Sequence, residues 1–252
     1  MNKLLKNLNK IEFALTYACT GRCKHCSVGE HKPSNERIDP DVAAEAVRRI
    51  TAEYDIKTVM VFGGEPLLHL DAVEAIMSAA REAGAERRQV ITNGYFSTDR
   101  ARVRAVASTL HRCGVNDLLI SVDAFHQETI PLDVVRLFAE AAVEFGIPTR
   151  LQPAWLVSRE GGNEYNKKTR EILESFLDIA IPVGEGNVVF PEGNALKYLA
   201  EYFVDNTPEN PYTEDPCNVK CVSFSPNGDV LDGNVYSGDI IKILEEYTPR
   251  KN

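Results

Sequence analysis

Short apolar, β-branched runs alternate along most of the chain with stretches in which apolar positions recur every three or four residues, the mark of strands interleaved with helices. The first run covers 12–17 and leads into a cysteine-bearing loop that extends to Ser27. Pro33 and Ser34 mark a turn, and Asp39 with Pro40 gives the N-cap and first-turn signals of a helix carrying Val42, Ala46 and Ile50. A second strand at 58–62 meets the loop Gly63-Gly64-Glu65-Pro66, and helical periodicity over 71–82 stops at Gly84. Strand 88–92 runs into Asn93-Gly94 before a helix at 98–112, and strand 118–122 precedes a helix at 132–145. Gly146-Ile147-Pro148 opens a fifth strand ending near Gln152, followed by a polar loop over 159–166 and a helix at 167–178. A sixth strand at 187–190 comes just before Pro191-Glu192-Gly193-Asn194.

This sustained alternation selects an α/β fold with a mainly parallel sheet over an antiparallel sandwich. Six βα units within about 195 residues predict an open partial (β/α)6 TIM-like barrel rather than a closed eight-stranded one. The Asn-, Pro- and acid-rich stretch 205–215 is the expected boundary, giving a barrel domain over 1–204 and a C-terminal extension over 205–252. In the extension, Pro226-Asn227-Gly228 between 221–225 and 229–231 predicts a β-hairpin, and 240–247 a closing helix.

Length and composition narrow the classes. At 252 residues, 44% hydrophobic and 26% charged, the chain has the make-up of an ordinary globular protein with a substantial core. The 28 basic residues against 37 acidic ones leave a net charge of -9, which argues against a nucleic-acid partner or an acidic-lipid surface. There is no apolar run of membrane-spanning length, and the amino terminus lacks a secretory h-region and cleavage site, so a cytoplasmic protein without a membrane partner is expected.

Of the six cysteines, Cys19, Cys23 and Cys26 lie too close together for a disulfide scaffold to be the first reading. Three soft ligands within one short loop point to a metal. Structural zinc would need a fourth ligand, which His25 or a remote cysteine can supply; a cubane of iron and sulfide held by three thiolates keeps one iron open for chemistry. Cys19-x3-Cys23-x2-Cys26, together with Gly63-Gly64-Glu65-Pro66 after the second expected strand, resembles the radical S-adenosylmethionine (radical SAM) superfamily over roughly 12–195. His25 stands where that family commonly has an aromatic or similar ring.

The resemblance implies a [4Fe-4S] cluster on Cys19, Cys23 and Cys26, with S-adenosylmethionine (SAM) bound at the fourth iron. It implies that Gly63, Gly64, Glu65 and Pro66 form the loop at the methionine end of SAM, Glu65 either receiving the ammonium or holding the loop. Asn93 and Ser121 fall at strand ends where cofactor contacts are expected, and Arg150 is a candidate partner for the SAM carboxylate. Asp123 is expected to contact cofactor or organise substrate, and His126, three residues on, to bind substrate or move a proton.

In the extension, Cys217-x3-Cys221 followed by Ser225-Pro226-Asn227-Gly228-Asp229 resembles a truncated SPASM or twitch tail. Leu231-Asp232-Gly233 stands where a further cysteine would follow, so a complete four-cysteine second cluster is not expected; metal binding, hydrogen transfer and simple packing all remain open for the pair. The functional expectation is reductive SAM cleavage and hydrogen abstraction from a peptide or protein. A small-molecule substrate in cofactor biosynthesis and a noncatalytic iron–sulfur or zinc scaffold are the alternatives. With the first strand expected near residue 12, no leader-peptide-binding domain is expected ahead of the barrel, and the electron is expected from a flavodoxin or ferredoxin.

Overall fold

The computed structural model describes residues 2–31 and 34–249, so Pro33 of the expected turn lies outside the described residues. β1 (Lys10–Ala14) is followed by a long loop and α1 (Pro40–Glu53), whose N-cap Asp39 accepts from the amides of Asp41 and Val42. Then come β2 (Thr58–Phe62), α2 (Leu70–Glu82), β3 (Arg87–Thr92), α3 (Arg100–Arg112) and β4 (Asp117–Ser121). A one-turn helix α4 (Ala124–Gln127), too short for periodicity to announce, precedes α5 (Leu132–Glu144) and β5 (Thr149–Gln152). The five strands pair in parallel in chain order, the architecture expected of consecutive βα units.

After Gln152 the structure departs from the expected order. Pro153 offers no N–H to a ladder, and beyond it the chain resumes as β6 (Ala154–Leu156), outside the main sheet. α6 (Glu164–Glu174) starts three residues before the expected helix because Asn163 caps it. β7 (Asn187–Val189) pairs with β6 alone among the described strands, so the sixth expected strand belongs to a separate two-stranded sheet. α7 (Gly193–Tyr198) follows.

The extension joins the main sheet at its other edge. β8 (Cys221–Phe224) pairs in parallel with β1, β9 (Asp229–Val230) turns back antiparallel on β8 as the expected hairpin, and β10 (Gly233–Asn234), which was not expected, adds antiparallel to β9 before α8 (Ile240–Glu246). The result is a mixed eight-stranded sheet in the order β10-β9-β8-β1-β2-β3-β4-β5. One face is apolar: Ile11, Phe13, Val59, Val61, Val90 and Ile120 are buried with the inward residues of α1, α2, α3 and α5. The other carries polar groups in register, with Lys10 paired to Glu12 at 2.7 Å and Asp117 receiving Gln89 at 2.6 Å and Arg150 at 3.0 Å. A sheet with one greasy and one polar face buries helices on the first and leaves the second to ligand chemistry. No helix among the described residues is long and apolar enough to cross a membrane.

Candidate cofactor and substrate cavity

A cavity of about 260 Å³ opens where β1 to β5 end, bounded by the loop after β1 on one side and by β6 and β7 on the other. The two glycines after β2 join its first two walls. Gly64 has φ +52°, and a Cβ there would sit 2.1 Å from the Ala18 carbonyl oxygen; at Gly63, with φ +85°, a Cβ would lie 2.8 Å from the Ala14 Cα. Only glycine lets this turn press against the base of the cysteine loop. The amide of Glu65 closes the contact by donating to the Ala18 carbonyl at 2.8 Å.

Glu65 is fully buried behind the turn and outside the cavity lining. One carboxylate oxygen accepts from the Leu67 amide at 2.9 Å and the Thr92 hydroxyl at 2.7 Å, and the other from the Asn93 amide at 2.8 Å. Burial lifts its carboxyl to about 7 against the pull of those donors. Of the two roles considered for Glu65, these bonds serve the loop-holding one. They also set the end of β3, where Thr92 and Asn93 face the cavity. Pro66 is buried, opening the 3₁₀ turn Pro66–His69.

Cys19, Cys23 and Cys26 all line the cavity as free thiols. Burial pushes Cys19 up to about 11 and Cys23 higher still, with the neighbouring thiols adding to both. Cys26 goes the other way: burial raises it, but His31 Nε2 lies 3.3 Å from its sulfur and brings the thiol below its ordinary value. His31 Nδ1 is 2.9 Å from the Tyr17 carbonyl, which only accepts, so that nitrogen carries the proton. Asn93 Nδ2 stands 3.6 Å from the Cys19 sulfur.

The loop after β4 supplies the remaining polar groups. Asp123, fully buried, accepts through one oxygen from the amides of Phe125 and His126 at 2.9 Å each. Its other oxygen accepts from Ala154 N at 2.9 Å and pairs with His126 Nδ1 at 2.8 Å. Burial alone would raise this carboxyl, but His126 outweighs it and holds Asp123 at about 2; in return Asp123 overcomes burial and raises His126. The His25 ring packs at a tilt on Phe125 and edge-on to His126, with centroids 4.9 and 4.8 Å apart, and burial drops it to about 4. Its Nδ1 is buried with no hydrogen-bond partner. Among the described residues, Cys23, His25 and His126 bring ligand atoms within 4.8 Å of one another.

Of the residues singled out from sequence, the cavity thus gathers Cys19, Cys23, Cys26, His25, Gly63, Gly64, Asn93, Ser121, Asp123 and His126. It does not gather Glu65, Pro66, Arg150, Cys217 or Cys221. Arg150 pairs with Asp117 on the polar face of the sheet, Cys217 is exposed, and Cys221 lies beside Glu12 with its thiol pushed up, chiefly by burial. The sequence reading had no role for His31, Thr92, Gln152, Asn187, Asn194 or Tyr212. A signal existed for the pairs that follow strand ends, Thr92 before Asn93 and Asn194 after Gly193, but none for Tyr212, which arrives from the boundary segment.

Three free thiols gathered at the C-terminal ends of a parallel α/β sheet, beside a glycine turn, have the arrangement of a cofactor site. The match over residues 13–189 makes the family specific: the chain belongs to the Radical SAM superfamily. It is 27% identical over 203 residues to the probable GTP 3′,8-cyclase of Saccharolobus solfataricus, a similarity covering 77% of this chain and 64% of that protein. The similarity therefore spans less than two-thirds of that relative's length. Its fold is similar to Streptococcus suis SuiB bound to precursor peptide SuiA, with a TM-score of 0.64 at 12% identity, covering 96% of this chain and 66% of that one. It is also similar to anSMEcpe with bound AdoMet, with a TM-score of 0.57 at 14% identity, covering 95% and 77%. These likenesses show a shared fold.

SAM and an iron–sulfur cofactor are the groups this family uses, and the residues fit both. Cys19 and Cys23, whose affinity for protons is raised by burial and by the neighbouring thiols, are relieved by a cation placed beside them, Cys26 is already drawn toward the thiolate by His31, and Gly63 and Gly64 line the same cavity.

Proposed function

We propose that Cys19, Cys23 and Cys26 hold a [4Fe-4S] cluster whose fourth iron takes SAM, and that the chain abstracts hydrogen from a peptide or protein substrate. When bound, that pair supplies one-electron reductive cleavage of the sulfonium and a 5′-deoxyadenosyl radical. The chain's own residues do the rest. Gly63 and Gly64 admit the amino-acid end of SAM, with Glu65 and Pro66 fixing their turn, while Asn93 and Ser121 offer polar contacts at the next two strand ends. Asp123 holds His126 in one tautomer beside His25, and together they shape the wall between cofactor and substrate. Arg150, tied to Asp117, is kept as an outer partner for a carboxylate. The open (β/α)6 barrel over 1–204, with 205–252 docked on its edge, leaves a lateral mouth through which an extended chain can enter. Cys217 and Cys221 are assigned a redox or packing role rather than a four-cysteine cluster.

The observation that carries the substrate reading is the wall opposite the cysteines. Gln152, Asn187, Tyr212 and the backbone from Val188 to Phe190 present neutral donors and acceptors, and none of the described residues lining the cavity is Lys or Arg. A nucleoside triphosphate placed there would bury several negative charges with no Lys or Arg to meet them, at a cost on the order of several kcal/mol, whereas peptide amides match such a wall. Conversion of a nucleotide is the second reading, carried by the similarity to probable GTP 3′,8-cyclases. We further propose a cytoplasmic setting and a flavodoxin or ferredoxin as electron donor.

The test is anaerobic reconstitution with iron and sulfide, then mass-spectrometric detection of 5′-deoxyadenosine after addition of SAM and dithionite, with Cys23→Ala as control. The parent should form it and the variant should not. Adding GTP should leave the rate unchanged; a severalfold stimulation with loss of GTP would overturn the peptide reading in favour of the nucleotide one.

A further inference from the structure

We propose that Asn194 is a positioning residue for the cysteine loop, an outer clasp that fixes the backbone of two cluster ligands and sets how firmly the loop retains iron. The inference rests on the cluster assignment above. Asn194 is 6% exposed, at the start of α7 and 171 positions from Cys23, yet its Nδ2 donates to the Cys23 carbonyl at 3.0 Å. Its main-chain N–H donates to the Cys26 carbonyl at 2.9 Å. Within the loop, the same two carbonyls accept only long bonds, from Cys26 N at 3.3 Å and Gly29 N at 3.2 Å. Asn194 therefore supplies the second and shorter donor to each.

The approach is built into the turn before it. Gly193 has φ +52°, and a Cβ on it would lie 2.4 Å from the Ser27 carbonyl oxygen and 2.6 Å from that of Cys26. Gly193 thus lets the β7–α7 turn touch the cysteine loop main chain to main chain. The next turn of α7 adds Lys197 and Tyr198, both bonded to Glu30 at the far end of the loop. Between β1 and α1 the described residues form no strand or helix beyond an isolated antiparallel bridge of Thr16 with Arg37, so outside donors such as these help set the loop's shape. Aspartate at 194 keeps the shape of the side chain but replaces the donor to Cys23 with an acceptor. Outer contacts that orient metal ligands commonly change affinity by tenfold or more.

The test compares the parent with Asn194→Asp and Asn194→Ala. In the reconstituted proteins, iron loss to a chelator should be about tenfold faster in both variants, with a changed EPR signal of the reduced cluster. In the metal-free proteins, iodoacetamide should label Cys23 and Cys26 several times faster, read by peptide mass spectrometry, while Cys113, buried beyond α3, labels at the parent rate. Parent-like iron loss and labelling in both variants would overturn the proposal. So would acceleration at Cys113 equal to that at Cys23, which would make Asn194 a residue of general stability. A parent that takes up no iron and sulfide defeats the cluster reading, and the labelling arm still decides the clasp.

Discussion

Asp123 shows how one buried side chain can organise a site through four donors at once. It caps α4, ties that helix to Ala154 of β6 and fixes the His126 ring. In Asp123→Asn the amide faces Ala154 N–H and His126 with hydrogens where the carboxylate accepted. The expected cost is about 1–3 kcal/mol in a urea melt at pH 7, from the orphaned donor. Without the carboxylate His126 loses the main group that offsets its burial, and its imidazole NMR titration should move down from the parent's raised position. Glu65 gives the opposite pH signature. Its carboxyl sits at about 7 when folded against a reference of 4.5, so between these values the folded chain binds the proton more tightly. This group's contribution to stability is complete below pH 4.5 and declines as pH rises through 7. Stability measured from pH 5 to pH 8 should therefore fall less steeply in Glu65→Gln, and an unchanged slope would refute the assignment. The triad, the glycine pair and the acid–histidine pair were legible because each is local in sequence. The bonds from Glu65 to Thr92 and Asn93 were not, since they join two strands through tertiary packing.

At the scale of elements, the strand ends matter more than the strands. Every βα unit from β1 to β5 was visible as an apolar run before a periodic one, because parallel strands covered by helices need that pattern. The interruption at Pro153 was not, although proline was in plain view, because where the chain goes after a broken ladder depends on β7 and not on Pro153 itself. The turn after β2 supports a sharper expectation. Gly64→Ala places a methyl group 2.1 Å from the Ala18 oxygen in a left-handed backbone, so the turn must lift off the cysteine loop. SAM binding, read by equilibrium dialysis on the reconstituted protein, should weaken at least tenfold while far-UV circular dichroism stays at the parent spectrum. Parent-like affinity would mean that this turn does not cradle the cofactor.

Over the whole molecule, the boundary segment at 205–215 separates two stretches of chain that the sheet then reunites. β8 pairs along β1 from Lys10 to Phe13, and the Phe224 ring stacks on Phe13 at 4.7 Å, both rings fully buried. No sequence pattern announces a parallel pairing between strands more than 200 residues apart, since each run looks the same whichever neighbour it finds. The pairing has a consequence for β1, whose C-terminal end launches the cysteine loop: its outer edge is covered by the extension rather than by solvent. Phe224→Ala should then cost about 3–5 kcal/mol, the usual range for a buried phenylalanine. Removing 205–252 should do more, because it exposes the unpaired edge of β1 together with Phe13 and takes Tyr212 from the cavity wall. The shortened chain is expected to elute as aggregate on size exclusion and to lose a cooperative melt. If residues 1–204 instead remain monomeric and melt as the parent does, the extension is an independent addition, and the edge of β1 holds the cysteine loop without it.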